Sequence, residues 1–229
     1  MDYFLKRFKE EIGSMLEPLG FKFKNRCFYI RVTEEKVYQS IELCRYSAPG
    51  LRVMARPLFL GKAACLWTDG TWIDKRWPHY RKVEAIQNEI ITEMAEIVRD
   101  ELIPFFEKSK TIEGAYQAEF SGYCMGREGV LAAYKAQEGD CKPLIEYYKQ
   151  WIEERKDIER MSLASYRENK TMSEDEMKQY SESMEKSRMQ AKERIDFYAN
   201  SSPETIAEHF KAKEEETIEE LKLKWKWKF

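Results

Sequence analysis

Long hydrophobic runs are missing from this chain of 229 residues. The longest unbroken apolar runs are five residues, Ala63 to Trp67 and Val130 to Tyr134, whereas a membrane-spanning helix needs about 20. Residues 6–11 are almost all charged and no apolar stretch follows them, so no secretory signal is predicted. We therefore expect a cytoplasmic protein without a membrane span.

The chain also has few histidines, and its cysteines are widely spaced. The chain has two histidines, His79 and His209, and five cysteines with no C-x-x-C pair, so neither a disulfide scaffold nor a metal site is predicted. Glycine-rich phosphate loops, G-x-S-x-G and H-E-x-x-H are absent from the sequence. No catalytic residue and no cofactor is predicted. An enzyme without a recognisable motif stays an alternative, with a Cys65–His79 pair or Glu42 beside Arg45 as its candidates.

The spacing of apolar residues predicts an α+β fold. Apolar side chains recur every three or four residues over 2–17 and again over 80–103, which is typical of amphipathic helices. Between these segments, residues 21–59 alternate between apolar and polar, with turn residues at Thr33–Glu35 and 48–50. We expect an antiparallel sheet of four to six strands, covered on one face by the two helices.

One strand of this sheet gives a specific expectation. Strict alternation over 51–58 predicts that Arg52 and Arg56 share one face of a strand while Val53 and Ala55 point to the other.

The second half of the chain has helical periodicity, so we predict a sheet domain over 1–110 and an all-helical part over 111–229, packed on the first. The helical part is expected to contain a helical hairpin at 126–155 and, after a polar break at 162–171, a long antiparallel pair at 172–224. A capping box, Ser173 to Glu176, begins that pair.

The last residues, 222–229, alternate aromatic residues with lysine, which is strand periodicity. An edge strand, a tail docked on the body, and a basic aromatic segment that contacts nucleic acid or an anionic membrane are the three alternatives. The helical pair or this strand could also form a homodimer interface.

Residues 21–82 are basic, with 13 Lys and Arg against 5 Asp and Glu, and aromatic residues lie among them. Such a segment can bind phosphates or stacked bases, and its candidate residues are Arg26, Arg31, Arg45, Arg52 and Arg56. Alternation alone explains the same pattern, as a sheet whose aromatics form the core and whose charges face water.

A tryptophan-rich segment follows within the same basic region. Tryptophan, tyrosine and arginine dominate binding hot spots, although a long hairpin anchored to the sheet would also bury them. The candidate binding residues are therefore Trp67, Trp72, Lys75, Arg76, Trp77, His79 and Tyr80, together with Arg45, Arg52 and Arg56.

Several short motifs over about residues 1–155 resemble an uncharacterised bacterial family, a domain of unknown function. They are Gly20-Phe21-Lys22-Phe23-Lys24, Phe28-Tyr29, Val37-Tyr38-Gln39-Ser40-Ile41 and Leu102-Ile103-Pro104-Phe105-Phe106-Glu107. The resemblance implies a bacterial, cytoplasmic α+β protein and no catalytic residue. By analogy, some small domains of this kind are suspected to be immunity or toxin-neutralising partners.

Our leading hypothesis from the sequence is a non-enzymatic protein-binding module that uses the sheet face and the tryptophan-rich segment. A phosphate-ligand or nucleic-acid binder is the first alternative.

Overall fold

A computed structural model describes residues 2–24, 27–45, 49–61, 71–73, 77, 83–117 and 126–220. The strands are β1 (Lys22–Lys24), β2 (Phe28–Val32), β3 (Val37–Arg45), β4 (Pro49–Pro57) and β5 (Thr71–Trp72). The helices are α1 (Tyr3–Leu16), α2 (Glu84–Ile97), α3 (Ile103–Lys108), α4 (Ile112–Gln117), α5 (Gly126–Gln137), α6 (Lys142–Asn169), α7 (Glu174–Asn200) and α8 (Pro203–Glu220). Short 3-10 turns lie at Glu17–Leu19 and Leu58–Leu60.

The five strands form one antiparallel sheet in the order β1-β2-β3-β4-β5, which confirms the predicted α+β class. Each strand pairs with the next one along the chain. The connections from β1 to β2, β2 to β3 and β3 to β4 have three or four residues, which suits hairpins. In the centre of the sheet, Tyr29 lies opposite Ile41 and Ile41 lies opposite Val53.

Helices α1, α2 and α3 cover one face of the sheet, as predicted. Asp2 caps α1 by accepting a hydrogen bond from the Phe4 backbone N–H at 2.9 Å. Along α1, Phe4, Phe8 and Ile12 are fully buried in the cluster that also contains Tyr29 and Ile41 of the sheet. This cluster is the main core of the protein.

The opposite face of the sheet is also buried, although the sequence predicted that its charges face water. Ile30, Tyr38 and Met54 form a second cluster there with Ile218, near the end of α8. Thr217 on the same helix donates a hydrogen bond to the carbonyl of Leu58 at 3.4 Å.

Helix α8 also passes close to Gly61, which has a positive φ of 75°. A Cβ at Gly61 would lie 3.2 Å from three side-chain carbons of Lys213. Glycine therefore suits this position for both its conformation and its size.

Residues 51–57 form a strand, as the alternation predicted, with Val53 and Ala55 in the main core. On the other face Arg56 is only 4% exposed and Arg52 is half-buried. The predicted alternation is confirmed, but the arginines lie against the second cluster and not in open solvent.

The long helix expected at 80–103 begins at Glu84 and continues beyond its predicted end. Ile90, Met94 and Val98 are buried in the main core, while Ile86 and Ile97 are partly buried. Pro104 does not end the helix, because a π-helical turn at Val98–Leu102 precedes it and α3 continues to Lys108. Proline has no N–H to donate, and a wider turn is a usual way to absorb that loss.

The chain divides into two compact units, Met1–Arg127 with Lys211–Phe229, and Glu128–Phe210. The sequence placed the boundary at 110 and assigned every residue after it to the helical part. The observed division differs because the last ten residues of α8 contribute side chains to the second face of the sheet, as described above.

The second unit contains a long antiparallel pair of helices, α6 and α7. Tyr148 stacks on Tyr198 at 6.4 Å between ring centroids, and Tyr166 meets Tyr180 edge-on at 5.7 Å. Arg188, between these aromatic pairs, forms an ion pair with Glu159. The capping box at Ser173 is confirmed at the start of α7.

The long partner of α7 is therefore α6, whereas the sequence predicted α8. The predicted break at 162–171 is helical as far as Asn169, and Lys170 ends the helix in a left-handed conformation with φ of 50°. The polar composition of 162–171 suggested a break, but α6 continues through most of it, and Tyr166 packs on Tyr180 there.

Among the helices that the structure describes, none has a stretch of the length and apolarity that crossing a membrane requires. The strand predicted at 222–229 lies outside the described residues.

Candidate functional site

The tryptophan-rich segment is described only in part. Trp77 is 3% exposed, belongs to the main core and donates its indole N–H to Glu93 at 2.8 Å. It therefore anchors the core and is not an exposed contact residue. Trp72 lies on β5 opposite Arg52. The other candidates of this segment, Trp67, Lys75, Arg76, His79 and Tyr80, lie outside the described residues, as does the proposed Cys65–His79 pair.

The arginines of the sheet are not arranged as an exposed phosphate-binding surface. Arg52 lies opposite Glu42 in the β3–β4 register, and its Nε donates to a Glu42 carboxylate oxygen at 2.7 Å. Glu42 is 7% exposed, so it is a buried partner of Arg52 and not the exposed strand position that the sequence suggested. Arg45 ends β3, but its side chain is outside what the structure describes, and so is Arg26.

Arg56 is buried on the same face of the sheet. It lies opposite Tyr38 and is 3.5 Å from the carbonyl oxygen of Gly61 through Nη2. A guanidinium 4% exposed has no access to a nucleic-acid backbone.

Arg31 makes four hydrogen bonds, and it lies on the main core face of the sheet. Its Nε donates to Gln39 at 2.5 Å, and Nη1 donates to the Leu19 carbonyl at 2.7 Å. Its Nη2 donates to the Phe106 carbonyl at 3.1 Å and to Glu107 at 3.3 Å. One guanidinium thereby joins β2 and β3 to the turn after α1 and to α3.

Gln39 extends this network. Its Nε2 donates to the Phe106 carbonyl at 2.7 Å and to the Ser109 hydroxyl at 2.9 Å, and both Gln39 and Ser109 are fully buried. Because each buried polar atom here has a partner, the network fixes the end of α3 against the sheet.

A cavity of about 520 Å³ opens beside this network, at the turn that joins β2 to β3. We call it the hairpin cleft, and it is lined by Leu19, Gly20, Arg31, Val32, Thr33, Glu34, Glu35, Lys110 and Thr111. Its volume lies within the range of about 300 to 1,000 Å³ that is usual for ligand sites.

Two hydrogen bonds join the walls of the hairpin cleft. The Thr33 hydroxyl donates to the Lys110 carbonyl at 2.7 Å, and the Ile112 backbone N–H donates to the Glu35 carboxylate at 3.0 Å. Both bonds connect the β2–β3 turn to the segment between α3 and α4. The cleft is therefore formed in advance of any ligand.

The hairpin cleft contains charges of both signs. Arg31 lies at its buried end, while Lys110, Glu34 and Glu35 are exposed. Just outside the cleft, burial alone would raise the pKa of Glu107, but hydrogen bonds from Lys110 and Arg31 outweigh it and hold that pKa below its ordinary value. The Arg31–Glu107–Lys110 group thus keeps one net positive charge.

Sequence reasoning named Arg31 but missed the cleft. Thr33 to Glu35 read only as a hairpin turn, and nothing in the sequence connects that turn to Lys110 and Thr111, about 75 residues later. The tryptophans drew the prediction to another segment. Two adjacent glutamates in the turn after Arg31 are visible in the sequence, but they are equally typical of an ordinary exposed hairpin turn.

Chemistry based on a thiol finds no support at Cys44. Burial, with the neighbouring Glu42 carboxylate, raises the pKa of Cys44 to about 12, although Arg52 partly opposes this. A protonated, 2% exposed thiol is a poor nucleophile. Among the residues that the structure describes, no three His, Cys, Asp or Glu side chains are grouped to hold a metal ion.

We therefore expect Cys44 to resist alkylation in the folded protein. At pH 8, iodoacetamide should leave Cys44 unmodified in buffer and modify it fully in 8 M urea, as read by peptide mass spectrometry. Cys141, which is half-buried, serves as the internal reference and should react sooner. Rapid native modification of Cys44 would contradict its burial.

No protein-family model matches the chain, and comparisons with curated proteins and with solved structures found no similar one. The family resemblance of residues 1–155 therefore stays a prediction.

Proposed function

We propose that this protein is a non-enzymatic protein-binding module and that the hairpin cleft is its binding site. The observation that carries the proposal is a cleft formed in advance, with charges of both signs at its opening. Protein surfaces present both signs to a partner. A nucleic-acid backbone is held by a surface with net positive charge, whereas Arg31 and Lys110 of the cleft lining are balanced by Glu34 and Glu35.

The cleft replaces the surface that the sequence suggested. The sheet face offers little to a partner, because β2, β3 and β4 have buried residues on both faces. The cleft also favours binding over catalysis. Its lining, as far as the structure describes the chain, contains no histidine or cysteine, and its carboxylates, Glu34 and Glu35, are exposed to solvent. An immunity-like role remains compatible with a module of this kind, and rests only on the family resemblance.

A photo-crosslinking experiment tests the proposal. A benzophenone amino acid at Glu34, on the rim of the cleft, is expected to capture a discrete protein partner in the cell that makes this chain. The matched control carries the same amino acid at Lys178, an exposed position on α7. Equal capture at both positions, or none at Glu34, would overturn the cleft as the binding site.

A salt titration of the purified complex separates the alternatives. We expect affinity to fall by less than about tenfold between 50 and 200 mM salt for a protein partner. Binding driven by phosphate contacts would fall by about 10³ to 10⁵ over the same interval and would favour the nucleic-acid alternative.

A further inference from the structure

The edge of β2 inside the hairpin cleft is open. Strand β1 pairs with β2 only over Phe28–Ile30, and β2 continues to Val32. In register, Val32 would lie opposite Gly20, but Gly20 has a φ of 88° and its N–H bonds back to Glu17 at 3.0 Å. The chain therefore turns away before β1 can cover Val32.

The direction of the Val32 backbone groups follows from the β2–β3 ladder. Leu43 N–H donates to the Cys27 carbonyl and Thr33 N–H donates to the Val37 carbonyl, at 2.9 and 3.0 Å. In an antiparallel pair, hydrogen-bonded and non-bonded residues alternate, so Tyr29 and Arg31 bond to β3 whereas Val32 faces the opposite side. Within the described residues, neither the N–H nor the carbonyl of Val32 has a backbone partner on that side.

Arg31, beside this edge, also has a donor to spare. A guanidinium carries five N–H groups, and four of those of Arg31 bond to Gln39, Leu19, Phe106 and Glu107. The fifth, on Nη1, has no acceptor anywhere in the described parts of the chain. Arg31 lines the cleft, so this donor is close to the open edge.

From these two observations we infer that the hairpin cleft binds an extended, acidic peptide segment of the partner as an added strand at Val32. The segment occupies the place that β1 would take if it continued past Lys22. One peptide residue exchanges two backbone hydrogen bonds with Val32, and an Asp or Glu side chain of the segment lies near Arg31 and Lys110. This inference rests on the proposed function and specifies its mode of recognition.

Charge decides between an acidic and a basic segment. Glu35 already accepts a hydrogen bond from Ile112, and Glu107 is shared between Arg31 and Lys110. The spare donor at the buried end is cationic and partly desolvated, where a charge-assisted hydrogen bond is strongest. Glu34, exposed at the rim, opposes an acidic segment only weakly, since water screens it.

The test uses 12-residue peptides selected from a random displayed library against the full chain. Selected peptides are synthesised with one N-methyl group at a time along the backbone. We expect about a tenfold loss of affinity at the residue opposite Val32 and at most about a threefold change at its two neighbours, whose N–H groups face away. Replacing the peptide carboxylate by its amide is expected to cost about tenfold.

Two exposed protein positions provide variants of opposite sign. Lys110→Gln is expected to weaken the acidic peptides by about threefold, and Glu34→Gln to strengthen them by about twofold. Lys135→Gln, at an exposed position on α5 that is not among the residues lining the cleft, is the matched control and should leave affinity unchanged.

The outcomes separate the inference from the function. Peptides that respond to Lys110→Gln but show no positional effect of N-methylation would overturn strand addition and leave the binding module intact. Failure to select any peptide that responds to the cleft variants would overturn the inference, while the crosslink at Glu34 would still decide the function on its own. A self-associated chain, detected as a dimer that Val32→Pro dissociates, would also overturn it.

Discussion

Replacing Arg31 by methionine is expected to lower the free energy of unfolding by about 2 to 4 kcal/mol, measured by urea denaturation. Methionine keeps much of the apolar stem but removes every hydrogen bond of the guanidinium. The carbonyl of Leu19 and the side-chain oxygen of Gln39, which is fully buried, then lose their donor. The Gln39 oxygen is a buried acceptor, and leaving it without a donor costs about 1 to 3 kcal/mol, whereas the Leu19 carbonyl borders the hairpin cleft and loses one hydrogen bond.

A double-mutant cycle tests whether the loss arises in the network. If Arg31 acts through Gln39, the double variant Arg31→Met with Gln39→Leu should cost less than the sum of the single variants, by about 0.5 to 3 kcal/mol. Lys149→Met removes an exposed lysine paired only with Glu146 three residues earlier, and should leave stability unchanged. Additive single effects, or a loss below 0.5 kcal/mol for Arg31→Met, would contradict the network.

Replacing Ile90 by aspartate is expected to unfold the first unit or to cost more than about 4 kcal/mol. Ile90 is 3% exposed and lies in the main core between α2 and the sheet. Truncation to alanine alone would cost about 2 to 5 kcal/mol, and an unpaired carboxylate in that place adds a desolvation penalty. Ile90→Ala should therefore fall between the wild type and Ile90→Asp in thermal unfolding.

The same substitution seven residues earlier provides the control. Val83 is the N-cap of α2, is 45% exposed, and makes no side-chain hydrogen bond to the helix. Val83→Asp supplies a capping carboxylate and is expected to stabilise the protein by about 1 kcal/mol. If Ile90→Asp and Val83→Asp both lowered stability, or both raised it, burial of Ile90 in the main core would not explain the effect of the Ile90 substitution.

Local periodicity predicted the sheet and its first covering layer well. The α1 stripe, the alternation around Val53 and the long helix through Ile90 each follow from which side chains one face must bury, and all are present. The second covering layer was not predictable in this way. Ile218 lies on a helix in which half of the residues are charged, and nothing local indicates that it meets Met54 about 160 residues earlier.

The sequence also did not predict the partners of the sheet arginines. Arg31, Arg52 and Arg56 alternate with apolar residues as solvent-facing positions do, and the sequence alone favours water or phosphate as their partner. Tertiary structure instead gives each an internal acceptor, such as Glu42 for Arg52. The open edge at Val32 was equally invisible, because it depends on where β1 ends relative to β2.

The contribution of α8 to the sheet has a consequence for biosynthesis. All residues of the sheet up to Leu58 are synthesised before any residue of Glu128–Phe210, and Ile218 follows only after that whole unit. At about 5 to 20 residues per second, the second face of the sheet waits about 8 to 30 s for its covering helix. During that interval Tyr38 and Met54 lack the helix that covers them in the folded protein, so this apolar face of the sheet is completed last.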